Sequence, residues 1–411
     1  MNKKRRVSIQ VLKRIEDAGY AAYLVGGCVR DQFLDIESKD YDICTNADPQ
    51  TIQQLFKKTI PTGLKHGTVT VIEQGIPFEV TTFRKEAGYI GYRRPSQVTF
   101  VSSLETDLSR RDFTINAMAQ DRHGRIYDPF GGQEDLQRKR IRCVGNPFDR
   151  FSEDALRIIR AARFAAQFHF SLDVEVGRAI EARKDLVSYL SIERVVAELE
   201  KIWTASSPST GLKIFWNFDL WSHLPVFRHW PWKRVCEQEI HAFDLLQDRI
   251  VCWAYLLHLG QVERKLLETE CRNLRLSKED IGKVVDCSRL VDQWEQMMTE
   301  DRLKLYLLQF GLETTKRAHQ LVRLQQLQHP SSDLETTLQH LWNKMPVKSL
   351  AELAVNGNDL LKCIQVKAGP WVRETLQHLL VCVALGELPN EKQVLLREGC
   401  QFAKDYLSAN S

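Results

Sequence analysis

The residue types best suited to chemistry lie in two short stretches near the start of the chain. Leu24–Asp31 joins an apolar run to a glycine pair ending at Gly27 and then to Arg30, and Asp40 and Asp42 follow closely. Glycines allow backbone N–H groups to approach a phosphate, and an arginine one turn into the next helix can contact the same phosphate. Two aspartates spaced i, i+2 on a strand lie on one face about 6.5 Å apart and can share divalent cations.

Each stretch alone is typical of an ordinary turn or of a solvated strand. The two stretches together predict metal-dependent nucleotidyl transfer, with Gly27 and Arg30 at a triphosphate and Asp40 and Asp42 at the metal. Glu79, in a later alternating segment, is either a third carboxylate from a neighbouring strand or a solvated strand residue. The sequence leaves both interpretations of Glu79 open.

A further arginine precedes a segment that we expect to be buried. Arg110–Ala117 places Arg111 directly before Asp112 and ahead of Asn116. The alternative is a helix start capped by Asp112, with solvated arginines. We favour a functional role, in which Arg111 lies near the phosphates or the base and Asp112 orients it through a salt bridge.

The second strong signal is a helix predicted from about Ser152 to Phe168. Asp154, Arg157, Arg160 and Arg163 recur every three residues, and no lysine or further acid lies between the arginines. Residues three apart are neighbours on a helix surface, and arginine is preferred where planar, bidentate recognition matters. A basic solvated face is the ordinary explanation of such spacing, but this composition favours nucleotide binding.

The chemistry of Asp154 and Arg157 predicts which bases such a pair accepts. A carboxylate only accepts hydrogen bonds and a guanidinium only donates them. Cytosine and adenine each present an amino donor beside a ring-nitrogen acceptor, whereas uracil and guanine present a carbonyl beside an N–H. Unpaired buried polar groups cost ~1–3 kcal/mol each, so the pair can select cytosine and adenine without a template.

The elements that position these residues divide the chain into an α+β head and a long helical remainder. Strands are predicted at 21–25, 41–45, 67–73 and 77–84, with a hairpin turn between the last two. Glu86–Pro95, which contains Arg93 and Arg94, has no regular pattern and predicts an exposed, mobile loop. After Gly132, helical periodicity dominates.

Composition limits the classes of protein that remain. The 411 residues suffice for two or three domains, and a net charge of +4 excludes a uniformly basic nucleic-acid-binding protein. No apolar run approaches the ~20 residues of a membrane span, and the basic start is not followed by a signal-peptide core. The 10 cysteines include no Cys-x-x-Cys pair, which predicts reduced, mostly buried thiols in a cytoplasmic protein.

The motifs resemble those of class II CCA-adding enzymes, the tRNA nucleotidyltransferases of bacilli and their relatives, within the polymerase-β-like nucleotidyltransferase superfamily. The resemblance covers nearly the whole chain and is weakest between about 205 and 330. Besides the stretches above, it rests on five segments: Lys65–Val69, Glu79–Arg84, Asp128–Gly132, Glu352–Asp359 and Gly369–Trp371.

This resemblance implies template-independent addition of C, C and A to the tRNA 3′ end from CTP and ATP, with release of pyrophosphate. It implies Mg²⁺ on Asp40 and Asp42 and triphosphate contacts from Gly27 and Arg30. It implies that five residues bind the incoming nucleotide: Arg111, Asp154, Arg157, Arg160 and Arg163. It also implies four parts: a head at 1–148, a neck at 149–205, a body at 206–328 and a tail at 329–411. The helical parts would bind tRNA through its sugar-phosphate backbone and its shape rather than through its bases.

Other interpretations stay open at this stage. A bacterial poly(A) polymerase or an enzyme that adds only A would share the head. The Glu86–Pro95 loop disfavours an enzyme that adds only C, because such an enzyme is expected to lack it. A tRNA-binding protein with an inactive site is the non-enzymatic alternative, and the sequence does not decide whether the chain forms a homodimer.

Overall fold

The computed structural model describes residues 2–92, 94–294, 299–326 and 332–409. The chain divides into two compact units, Met1–Trp230 with Phe243–Leu245 and Pro231–Ala242 with Leu246–Ser411. The first combines β-sheet and helices, and the second is helical in its described residues, which confirms the predicted α+β class. The predicted boundary at 328 falls in 327–331, outside the described residues.

The head is built on one mixed sheet of seven strands. The strands of the chain are β1 Ala22–Val25, β2 Asp42–Thr45, β3 Thr59–Gly63, β4 Thr68–Glu73, β5 Ile76–Thr82, β6 Arg84–Ile90, β7 Arg94–Phe100, β8 Ala119–Gln120, β9 Ile126–Tyr127, β10 Arg140–Ile141 and β11 Ser171–Leu172. The seven-stranded order is β3-β4-β5-β2-β1-β8-β9. The apolar strands β1 and β2 lie near its centre because their side chains are almost all buried.

Strand register brings two acidic residues together. β2 pairs antiparallel with β1 and parallel with β5, and Ile43 lies opposite Val80. Asp42 and Glu79 each precede these residues by one position, so they are neighbours on adjacent strands. Asp40 lies before β2 begins, so the prediction that Asp40 and Asp42 share one strand is wrong.

Two hairpins differ in how well the sequence predicts them. The turn between β4 and β5 is as predicted, and Gln74 and Gly75 both have positive φ, which suits a two-residue hairpin turn. The prediction of an irregular loop at Glu86–Pro95 is wrong, because β6 and β7 pair antiparallel across this segment. Arg93 lies outside the described residues.

Ten helices complete the described part of the first unit: α1 Lys3–Asp17, α2 Gly27–Phe33, α3 Pro49–Leu55, α4 Leu104–Ser109, α5 Gly132–Gln137, α6 Pro147–Glu153, α7 Leu156–Phe168, α8 Val174–Arg183, α9 Ile192–Trp203 and α10 Pro208–Asn217. The single helix predicted from Ser152 to Phe168 is wrong at one point. Asp154 has extended backbone angles (φ −141°, ψ 104°) and separates α6 from α7.

The described part of the second unit contains α11 Glu237–His241, α12 Arg249–Leu259, α13 Leu267–Asn273, α14 Lys278–Asp292, α15 Glu300–Phe310, α16 Leu312–Gln325, α17 Ser332–Lys344, α18 Gly357–Ile364, α19 Pro370–Leu385 and α20 Lys392–Ala409. A disulfide joins Cys363 on α18 to Cys400 on α20. The prediction of reduced thiols is therefore wrong for this pair, although the other cysteines are free. None of the described helices has the length and apolar composition needed to cross a bilayer.

Candidate active site

A glycine turn joins β1 to α2 at the edge of the site. Gly26 has φ 77° and donates its N–H to the Met118 carbonyl at 3.3 Å, and α2 begins at Gly27. A Cβ on Gly26 would lie 3.2 Å from Nη1 of Arg111. Positive φ and this close approach both favour glycine. The hydrogen bonds from Val29 and Arg30 to the Gly26 carbonyl begin the helix, so the preceding N–H groups of Gly27 and Cys28 are the ones available to an anion.

Arg111 lies beside the glycine turn and contacts a buried acid. Its Nη2 is 3.4 Å from Oδ2 of Asp107, and its positive charge acts to lower the pKa of Asp42. The predicted salt bridge from Asp112 to Arg111 is wrong, because Asp112 accepts hydrogen bonds from Arg160 and Asn116. Arg111 is thus oriented by an acid that the sequence analysis did not single out.

Arg30 lies beside the same turn, but its guanidinium faces protein groups. It donates to Asn116 Oδ1 at 2.5 Å and to Asp31 Oδ1 at 2.6 Å, and its side chain is 8% exposed. Its Nη2 would lie 3.4 Å from a Cβ at Gly27. Arg30 is therefore close to the predicted triphosphate position, but its hydrogen bonds are to Asn116 and Asp31 next to the turn.

The carboxylates of Asp42 and Glu79 form the acidic part of the site. Asp42 is open to solvent on one side and crowded by protein on the others. Burial raises the pKa of Asp42, and the negative charges of Glu79 and Asp40 add to this effect. Neither Asp42 nor Glu79 forms an ion pair within the described residues, whereas Asp40 binds Lys4 Nζ at 2.8 Å.

These carboxylates suit a divalent cation chemically, since adjacent unpaired acids repel each other and oxygen ligands are those that Mg²⁺ prefers. The arrangement is not a complete ligand set. Across the described ranges, no group of three or more histidine, cysteine or acidic side chains is placed to hold a metal ion.

Each arginine of α7 forms an ion pair with an acid that lies outside this helix. Arg157 pairs with Glu153 at 2.6 Å, Arg160 with Asp112 through Nε at 2.8 Å, and Arg163 with Glu198 at 2.8 Å. The arginines are therefore not a solvated face. Burial acts to raise the pKa of Asp112, but Arg160 and Asn116 outweigh it and hold that pKa well below its usual range.

An aromatic side chain links α7 to the glycine turn. The guanidinium carbons of Arg30, Arg160 and Arg163 lie 5.5, 5.3 and 3.9 Å from the ring centre of Phe164. Burial and repulsion from Arg160 lower the pKa of Arg163 to about 10. Three guanidinium groups, each also paired with an acid, therefore converge on one ring next to the glycine turn.

Asp154, in the break between α6 and α7, has partners that the sequence analysis missed. Its Oδ1 accepts the Leu156 N–H at 3.1 Å, and its Oδ2 accepts Arg194 Nη2 at 2.8 Å. The next N–H, of Ala155, donates to the Tyr92 carbonyl at the tip of the β6–β7 hairpin at 3.2 Å. Arg194 is 40 positions away from Asp154, and no local pattern signals this contact.

Comparison with family models divides the chain into three matched segments. A model of the poly A polymerase head domain matches residues 22–142, and one described as a probable RNA and SrmB-binding site of polymerase A matches 169–230. A model of a putative tRNA nucleotidyltransferase domain 2 matches 245–398. The matched head contains the glycine turn, the acidic strand end and Arg111.

Full-length relatives decide the family. The CCA-adding enzyme of Anoxybacillus flavithermus is 36% identical over 396 residues, which cover 96% of each chain. A CCA-adding enzyme of Bacillus cereus is 36% identical over 386 residues, covering 94% of this chain and 95% of the relative. This chain belongs to the CCA-adding enzyme family. The predicted family, nucleotidyltransferase class and CCA-adding function are confirmed.

Solved structures agree with this assignment. The Bacillus stearothermophilus CCA-adding enzyme, solved in complex with CTP, superposes with a TM-score of 0.86 at 32% identity over 100% of both chains. The Thermotoga maritima CCA-adding enzyme, solved with tRNA, has a TM-score of 0.68 at 20% identity over 100% of this chain and 97% of that one. The second similarity shows a shared fold alone.

Proposed function

We propose that this chain adds C, C and A to the 3′ end of tRNA from CTP and ATP and releases pyrophosphate at the site described above. One observation carries the proposal: Arg111 Nη1 lies 3.2 Å from a Cβ position on Gly26, and Asp42 lies opposite Val25, the residue before Gly26, on the neighbouring strand. A triphosphate-binding turn, a guanidinium and an acidic strand end therefore meet in one place, as phosphoryl-group transfer requires.

The triphosphate would bind at the start of α2, against the backbone at Gly27 and the guanidinium of Arg111. Arg30 would support this contact from the other side of the turn and reach the phosphates if its bond to Asp31 opens. Arg160 and Arg163 extend the positive region along α7. The negative charge of a nucleotide would oppose the burial and the repulsion from Arg160 that together lower the pKa of Arg163.

The metal would be Mg²⁺, held by Asp40 and Asp42, with Glu79 either a third ligand or a source of negative charge beside them. A bound divalent cation would supply charge neutralisation and polarisation at the reacting phosphate oxygens. Asp40 would exchange its ion pair with Lys4 for this ligand role. Arg111 and the turn would orient the α-phosphate for in-line attack by the tRNA 3′-hydroxyl.

The base would be selected by Asp154 and Arg157. A hydrogen bond from Arg194 orients the carboxylate of Asp154, and a hydrogen bond to Glu153 orients the guanidinium of Arg157. A base that offers an amino donor and a ring-nitrogen acceptor would satisfy the carboxylate and the guanidinium together. Cytosine and adenine have this pattern, so one pair would serve both nucleotides.

The four-part division into head, neck, body and tail belongs to the same proposal, with the helical parts after about residue 149 holding the tRNA in the cytoplasm. The β6–β7 hairpin touches the segment that carries Asp154 through the Ala155–Tyr92 hydrogen bond. The tip of the hairpin therefore lies beside the carboxylate that we propose selects the base.

The test is incorporation into tRNA that lacks its 3′ terminus, with Mg²⁺ and each labelled nucleotide supplied singly and together. We expect two C residues followed by one A. A long A tract would indicate a poly(A) polymerase, A alone would indicate an A-adding enzyme, and no incorporation would indicate a binding protein. Asp42→Ala should abolish transfer and leave tRNA binding intact, and retained turnover would exclude the metal role.

A further inference from the structure

Asp107, on α4, is a fully buried acid. Its Oδ1 accepts the Arg84 backbone N–H at 3.2 Å and Arg110 Nε at 2.9 Å, and its Oδ2 faces Arg111 at 3.4 Å. A charge without access to water requires such partners, because an isolated buried carboxylate is very unfavourable. This carboxylate therefore has its oxygens directed at two arginines of one loop.

Asp107 is the acid that directly contacts the guanidinium of Arg111. The opposite side of that guanidinium approaches the glycine turn, with Nη1 3.2 Å from a Cβ position on Gly26. Its Nε is buried and, among the residues that the structure describes, has no hydrogen-bond partner. Arginine side chains have many rotamers, so a single acid on one side decides where the free edge of the guanidinium points.

The same carboxylate also acts on the opposite end of the site through Arg110. Arg110 pairs with Asp107 and with Glu86 at the base of the β6–β7 hairpin, at 3.4 Å. The main-chain carbonyl of Arg110 accepts Nη2 of Arg157 at 3.1 Å. Asp107 thus pairs with the side chain of Arg110, whose carbonyl holds the proposed base-binding arginine, and with the side chain of the proposed phosphate-binding arginine.

We propose that Asp107 is a positioning residue that aligns the triphosphate and base ends of the nucleotide site through Arg111 and Arg110. It does not contact the nucleotide itself. The proposal rests on the function proposed above, because it requires Arg111 to bind phosphate. Removing the charge of Asp107 would free Arg111 to leave the turn and would loosen the loop that holds Arg157.

The test is Asp107→Asn in the full-length protein, measured by binding of inorganic tripolyphosphate and by steady-state kinetics with CTP, ATP and tRNA. We expect tripolyphosphate to bind about tenfold more weakly and KM for both nucleotides to rise by a similar factor, as for loss of one charge-assisted hydrogen bond. KM for tRNA should not change. Unchanged tripolyphosphate affinity and nucleotide KM would overturn the proposal.

A matched control separates positioning from general stability. Asp135 is equally buried in the same unit, but its partners among the described residues are Arg140, Arg142 and the Thr114 hydroxyl rather than Arg110 or Arg111. Asp135→Asn should lower thermal stability without weakening tripolyphosphate binding. If both variants weaken binding equally, Asp107 has only a structural role and the proposal is wrong.

A second pair of variants distinguishes this proposal from the proposed function. Arg111→Lys should weaken tripolyphosphate binding, and combining it with Asp107→Asn should add little, because both changes remove one interaction. Full additivity would refute coupling through Arg111. If Arg111→Lys has no effect, the phosphate site itself is misassigned. Asp107→Glu keeps the charge, and its expected partial recovery of affinity provides the same test should the asparagine variant not fold.

Discussion

At Asp42, we expect the charge that activity requires to lower the stability of the folded protein. Asp42 and Glu79 occupy neighbouring positions on parallel strands, which are about 4.8 Å apart. Two unit charges at that distance repel by roughly 0.9 kcal/mol in water and about fourfold more at the effective dielectric of a protein surface. Because Asp42 is partly solvated, we take the low end, about 0.5–1 kcal/mol.

Asp42→Asn removes this repulsion while conserving shape, so we expect a more stable but inactive protein. For a unit of more than 200 residues the gain is roughly 1–4 °C in Tm. The sign follows from the raised pKa: ionisation of Asp42 costs stability in the folded state, so the advantage exists at neutral pH. It disappears as the pH falls through the pKa of Asp42, where the wild type is also neutral.

The assay is thermal unfolding of both proteins from pH 7 into the acidic range, with and without Mg²⁺. Glu73→Gln on β4 is a suitable control, because Glu73 is paired with Arg14 and its neutralisation should give no gain. Mg²⁺ should raise the Tm of the wild type and not that of Asp42→Asn. A variant no more stable than the wild type at neutral pH would refute the repulsion argument.

Three further predictions concern contacts described above. Asp112→Asn breaks the buried ion pair with Arg160. Denaturant titrations should show that the free energy of unfolding falls by about 3–5 kcal/mol. A loss under ~1 kcal/mol would contradict the importance of this ion pair. Arg194→Ala removes the ion-pair partner of Asp154. Misincorporation of U and G should therefore rise about tenfold in single-nucleotide assays. Selectivity equal to that of the wild type would show that the Arg194–Asp154 ion pair is dispensable. Cys400→Ser removes a disulfide that spans 37 residues. Without reductant, the variant should lose ~2–4 kcal/mol of stability relative to the wild type, and with dithiothreitol it should lose none. An equal loss in both conditions would show that the substitution affects packing alone.

Local patterns predicted those parts of the molecule that depend on neighbours in sequence. The glycine turn before α2, the buried strand β1 and the hairpin at Gln74 and Gly75 follow from short-range chemistry, and each is present as expected. The β6–β7 hairpin was missed because its glycines and arginines obscure the alternation of a strand. Its residues are mostly exposed, so burial imposes little pattern on them.

Long-range partners account for what could not be predicted at the site. The three α7 arginines were recognised as unusual, but their acids Glu198 and Asp112 lie in other segments, and no sequence rule pairs them. The break at Asp154 was hidden because the i, i+3 spacing continues across it. Only the structure shows that Asp154 has extended backbone angles and that its carboxylate binds Arg194.

The hydrogen bond between the Ala155 N–H and the Tyr92 carbonyl joins the hairpin to the Asp154 segment through main-chain atoms only. Such a bond is indifferent to most side chains, so substitutions along the hairpin can accumulate without breaking it. Removing one cross-strand pair would instead withdraw the tip by about 3.4 Å, more than a hydrogen bond can tolerate. The length of this hairpin therefore determines whether its tip reaches the Asp154 segment.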